Sequence, residues 1–152
     1  MIPYIRPFQD LDFSTLLEID GKCFEPGIAY DEEELRHFLH EIRNFALVLV
    51  LESRVAGFGI VGWSQRKTRV GHLITLDLLP EFRGLGHGKS LLRALEQCLE
   101  KIGATRVTLE VDVRNTAAIG FYRKMGYQRD RRLEDYYGRG KDALRMFRSL
   151  TG

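Results

Sequence analysis

The 152 residues, 44% hydrophobic and 29% charged, suit one compact domain over 1–152 with its own core. A formal net charge of +2 is too small to argue for a nucleic-acid partner, and two cysteines, Cys23 and Cys98, exclude a disulfide framework and suit a reducing compartment. Residues 1–6 lack the apolar core of a signal peptide, and the longest apolar run, 45–51, is too short to span a bilayer, so the cytoplasm is the expected location and no membrane partner is expected.

In chain order, Tyr4-Ile5-Arg6 reads as a short strand. Residues 11–24 carry a helical apolar face, broken at Gly21 and at Pro26-Gly27. A second helix starts at Asp31, with Glu34 completing a capping box, and its stripe is Leu35, Phe38, Leu39 and Ile42. Residues 45–52 and 55–63 form a hairpin around Glu52-Ser53-Arg54, and 70–79 form a long strand closed by Pro80. A helix over 87–102 follows, with apolar positions 91, 92, 95, 98, 99 and 102 and Gly103 as its cap. Strand 106–113, helix 116–125 and two closing strands, 127–133 and 143–150, complete the chain. The expected fold is mixed α/β, with a largely antiparallel central sheet flanked by helices.

The segment from Leu76 to Ser90 is the most informative. A strand runs into Arg83-Gly84-Leu85-Gly86-His87-Gly88-Lys89, and a helix begins at once. Glycines let the backbone approach a ligand, and a helix N-terminus favours phosphate. Two familiar phosphate loops fail at a required glycine. A P-loop ending at Gly88-Lys89-Ser90 would need glycine where Arg83 stands, and a dinucleotide fingerprint starting at Gly84 would need it at Lys89.

Arg83-Gly84-Leu85-Gly86-His87-Gly88 instead resembles the Gln/Arg-x-x-Gly-x-Gly/Ala signature of GNAT acetyltransferases. The segment from Leu109 to Tyr127, with Asn115, Ala118, Tyr122 and Gly126, is similar to the family's second motif at the family's spacing. Its closest likeness is to the RimI-like branch, which acetylates protein N-terminal amines. The resemblance covers residues from about 73 to the C-terminus and fades before them. It implies acetyl-CoA as co-substrate, no metal, and direct transfer of acetyl to a primary amine, with a protein N-terminus as the expected acceptor. Leu76, Asp77 and Leu78 would pair through the backbone with the pantetheine arm. Arg83, Gly84, Leu85, Gly86, His87, Gly88 and Lys89 would form the pyrophosphate loop, and Asn115 would contact the cofactor. Tyr122 would protonate the leaving thiolate. Glu110 would remove the ammonium proton or position the acceptor, and backbone N–H groups near Leu78 would meet the oxyanion. Tyr30, Tyr136 and Tyr137 would wall the acceptor site.

Each residue also has an ordinary reading: Tyr122 as a core aromatic, Glu110 as a solvent-facing carboxylate that alternation puts on one face with Asp112, and Asn115 as a helix cap. Cys98, on the helix stripe, reads as a buried structural thiol. His37, His40 and Glu41 lack a third ligand at metal spacing, and His87 reads as a spacer. The Asp31–Glu34 run reads as helix-start electrostatics. Arg123 and Lys124 could face the 3′-phosphate of coenzyme A or only solvent. The basic cluster Arg129, Arg131 and Arg132 lacks the aromatic platform of a nucleic-acid reader. Acetylation of a small amine or a lysine side chain, and a non-catalytic acyl-CoA sensor, are the alternative functions. The sequence does not set an oligomeric state.

Overall fold

The computed structural model describes residues 2–151, so the two terminal residues of the expected 1–152 unit lie outside it. Seven strands form one sheet: β1 (Tyr4–Pro7), β2 (Asn44–Leu51), β3 (Arg54–Gln65), β4 (Arg69–Leu78), β5 (Arg106–Asp112), β6 (Gln128–Leu133) and β7 (Ala143–Ser149). Their order is β1-β2-β3-β4-β5-β7-β6. Every neighbouring pair is antiparallel except β4 and β5. That one parallel pair needs a crossover, which α3 (His87–Lys101) provides. The expected α/β fold with a largely antiparallel sheet is therefore present.

Helices cover both faces. Leu16 and Ile19 of α1 (Phe13–Cys23) and Leu35 and Leu39 of α2 (Glu32–His40) pack with Val48, Val50, Phe58 and Ile60 on one face. On the other, Leu91, Leu92, Leu95 and Leu99 of α3 pack with Leu49, Val61, Leu73, Val107 and Leu109, joined by Tyr122 and Met125 from α4 (Thr116–Lys124) and the residue after it.

Three local readings change. The first helix runs through Gly21 to Cys23. Gly21 is exposed, so it costs about 1 kcal/mol of propensity at most while buried Leu16 and Ile19 hold the helix. Ile42 leaves the α2 stripe: the helix stops at His40, Glu41 turns extended, and Ile42 is 93% exposed. The Asn44 side chain, donating to the Phe38 carbonyl at 2.9 Å, closes that end. Cys98 is half-buried, because Glu96 takes the buried position on α3. There Glu96 accepts from Tyr127 Oη at 2.6 Å and pairs with Arg148 at 3.2 Å. The expected capping box stands, with Asp31 accepting from Glu34 N–H at 2.8 Å and Glu34 from Asp31 N–H at 3.0 Å.

Candidate active site

A bulge in β4 sets the site. Thr75 pairs with Ile60 and Leu73 with Val61, which leaves Ile74 without a partner on β3 and bends the strand. β4 and β5 pair only at Val70–Arg106, Gly71–Val107 and His72–Thr108. Beyond His72 the strands part, and a cleft of about 1560 Å³ opens between them.

Part of the edge of β4 within this cleft is free. A β-carbon on Gly57 would lie 2.5 Å from the Asp77 carbonyl, so that carbonyl turns toward β3. Backbone alternation then turns the polar groups of Leu76 and Leu78 into the opening. The Leu78 carbonyl is engaged, accepting from Arg83 Nε at 2.8 Å and from Cys23 Sγ at 3.5 Å.

At one end of the cleft lies the start of α3. Gly84 and Gly86 have φ of 79° and 88°, in the left-handed region that glycine favours, and Gly86 is the N-cap. The first helical bond runs from Ser90 N–H to the Gly86 carbonyl at 3.2 Å. The N–H groups of His87, Gly88 and Lys89 therefore have no intrahelical acceptor. Asn115, the N-cap of α4, spends its side-chain oxygen on Ala118 N–H at 3.1 Å and keeps its amide NH₂ for another partner.

At the other end sits a polar cluster. Glu110 Oε1 lies 2.7 Å from His72 Nε2 and 3.3 Å from Tyr136 Oη, and Oε2 accepts from Arg145 Nε at 3.1 Å. Burial alone would raise the Glu110 carboxyl, but hydrogen bonds and charge from His72 and Arg145 outweigh it and hold the group below its usual range. Tyr30 donates to the Ile74 carbonyl at 3.1 Å, and Tyr136 and Tyr137 meet edge to face at 4.9 Å.

Tyr122 is 8% exposed and lines the cleft. Burial, then the nearby Asp77 carboxyl, pushes its phenol above the usual value, so it is protonated at neutral pH. Among the described residues its hydroxyl has no hydrogen-bond partner.

Most of the sequence-derived candidates thus meet here: Tyr30, Leu76, Leu78, Arg83, Gly84, Gly86, Gly88, Lys89, Glu110, Asn115, Tyr122, Tyr136 and Tyr137 all line the cleft. Asp77, Leu85 and His87 do not. Leu85 is 67% exposed, and Asp77 is buried on the opposite face. There Asp77 accepts from Thr75, while Asp20 Oδ1 and Asp77 Oδ2, both buried, have no donor among the described residues. Burial, then Asp20, pushes the Asp77 carboxyl well above the carboxylate range. A proton on Asp77 facing Asp20 satisfies both oxygens.

His72 escaped sequence reading. It stands in the cleft beside Glu110, a pairing that depends on the register of two strands 38 residues apart. Among the described residues no three metal-ligating side chains gather, and His40 instead bonds Asp10 and the Arg36 carbonyl, both at 2.8 Å.

The acetyltransferase (GNAT) family matches residues 13–127. The chain belongs to this family. It is 33% identical over 147 residues to an uncharacterized N-acetyltransferase of Methanocaldococcus jannaschii, covering 95% of this chain and 90% of that protein. It is 32% identical over 147 residues to N-alpha-acetyltransferase 30 of Schizosaccharomyces pombe, covering 95% and 94%. The crystal structure of Arabidopsis thaliana NAA60 in complex with acetyl-CoA shares the fold, with a TM-score of 0.88, 21% identity, and coverage of 99% of this chain and 100% of that one. The protein is an N-acetyltransferase.

Proposed function

We propose that this enzyme transfers acetyl from acetyl-CoA directly to the α-amino group of a protein N-terminus, in the cytoplasm. The observation that carries this reading is the parted β4–β5 edge, with free helix N–H groups at one end and a tyrosine-walled carboxylate–imidazole cluster at the other. The donors fit a coenzyme: the α3 N-terminus suits a pyrophosphate, and the open edge at Leu76, with the Leu78 N–H, suits an amide-bearing arm. Gly84, Gly86, Gly88, Arg83 and Lys89 hold the phosphates, and the Asn115 amide adds a donor. Bound acetyl-CoA supplies a thioester carbonyl. Tyr122 holds a proton at Oη for the departing sulfur, and N–H groups of β4 near Leu78 face the developing oxyanion.

Neither thiol suits a covalent route. Cys98 does not line the cleft. Burial, then Asp77, pushes Cys23 up to about 11, which keeps it protonated. Both are free, as fits a reducing compartment. The relatives named N-alpha-acetyltransferase support an α-amino acceptor, and Tyr30, Tyr136 and Tyr137 would wall the peptide.

The test is acetyl transfer to peptides with a free N-terminus, the same peptides with a blocked N-terminus and an internal lysine, and polyamines, with sites read by mass spectrometry. We expect acetylation at the α-amine alone. Transfer only to lysine or to polyamines would move the acceptor assignment. Coenzyme binding without transfer to any amine would leave a sensor.

A further inference from the structure

We propose that His72 is the base that takes the proton from the incoming ammonium, and that Glu110 is a positioning residue that orients the imidazole. The proposal rests on the amine-acceptor reading given above.

Three observations carry it. First, Glu110 is occupied: its side chain is 7% exposed, with His72 and Tyr136 on one oxygen and Arg145 on the other. Second, the His72 side chain is 43% exposed and lines the cleft. Its Nε2 faces a carboxylate, so that nitrogen carries the hydrogen, and Nδ1 keeps its lone pair. Among the described residues Nδ1 has no hydrogen-bond partner. Third, the placement is built into the fold. His72 is the last residue of β4 paired to β5, and Glu110 lies two residues beyond its register partner Thr108, on the same face. The acceptor-wall residue Tyr136 is bonded to the same carboxylate oxygen.

In the step itself an ammonium N–H bond breaks and the electron pair remains on the amine nitrogen. The proton passes to Nδ1, and the resulting imidazolium still donates from Nε2 to Glu110. The free amine then holds the lone pair that attacks the thioester. The carboxylate is already held by Arg145 and by the imidazole N–H, whereas Nδ1 has no partner among the described residues and is left to accept the proton. The charged and titratable groups around His72 are Glu110 on β5, Arg145 on β7 and Tyr136 in the loop between β6 and β7, while Glu34, His37 and Glu41 of the α2 side line the same cleft.

The experiment compares the pH dependence of kcat/KM for the parent, His72→Gln and Glu110→Gln, using whichever primary amine the parent acetylates, so that a wrong acceptor assignment does not decide the result. His72→Gln should lose about 10²–10⁴-fold at low pH. The loss should shrink above about pH 8, where an α-amine is already free. Glu110→Gln should lose less and keep an acid limb moved to lower pH. A His72→Gln profile matching the parent, or an acid limb removed by Glu110→Gln and kept by His72→Gln, overturns the proposal. A readout independent of turnover is the nitrogen NMR of the imidazole, assigned by its loss in His72→Gln. The Nε2–H tautomer is expected, and an Nδ1–H tautomer would overturn the assignment.

Discussion

The Tyr122 hydroxyl is the most economical single atom to test. Tyr122→Phe keeps the packing of a buried ring and removes only the proton donor. Turnover should fall about 10²–10⁴-fold while acetyl-CoA affinity stays near that of the parent, measured by single-turnover kinetics and calorimetry. Full single-turnover rate in the variant would remove Tyr122 from the acid role. Asp77 gives a second residue-scale prediction, this time of stability. Its folded-state pKa lies well above the ordinary 3.8, so the folded chain holds a proton that the unfolded chain releases. Its contribution is therefore complete below about pH 4 and declines as pH rises toward the folded value. Asp77→Asn keeps the shape and a donor toward Asp20 but never ionises. Its Tm should exceed the parent's at pH 7–8, by ~2–4 °C for each ~1 kcal/mol retained, and converge with it near pH 4. A difference that does not vary with pH would place the proton elsewhere. At this scale the sequence was readable where a motif fixes a position, as at Tyr122 and Glu110, which both line the cleft. It was silent at His72, whose surroundings come from strands far apart in the chain.

Among the elements, α3 and its entry loop had the clearest signature. Gly86 needs its left-handed φ of 88°, and the helix N-terminus behind it offers unpaired donors. Gly86→Asp puts a strained residue there and a carboxylate that competes for those same N–H groups. Acetyl-CoA Kd should rise about 100-fold or more while circular dichroism stays that of a folded protein. Unchanged affinity by calorimetry would detach the loop from the coenzyme. The period of α3 was legible because its Leu stripe is strong, yet Cys98 is half-buried and Glu96 is buried. Burial of Glu96 depends on Tyr127 and Arg148, partners that no local pattern announces. Ile42 misled for the opposite reason: its spacing continues the α2 stripe, but the chain must leave the helix to enter β2 at Asn44.

For the molecule as a whole, the alternation of strands and helices gave the fold class, but not the bulge at Ile74 or the short β4–β5 register that together open the cleft. Both are relations between strands, set by packing on two faces at once. Among the described residues only three register pairs join the sheet's halves, so the joint between them rests largely on side-chain packing. The antiparallel ladder from β1 to β4 closes entirely within residues 4–78, and the ladder of β5, β6 and β7 within residues 106–149. The pairings of each half thus lie within one stretch of chain, but the core beneath them is shared: Leu49, Val61 and Leu73 pack with Leu91 and Leu95 of α3 and with Val107 and Leu109. The seam is the long-range joint of the sheet, and α3, which lies between the two stretches in sequence, packs against residues of both. His72 and Glu110 stand on opposite sides of that seam, so their contact lasts only while the two halves stay joined.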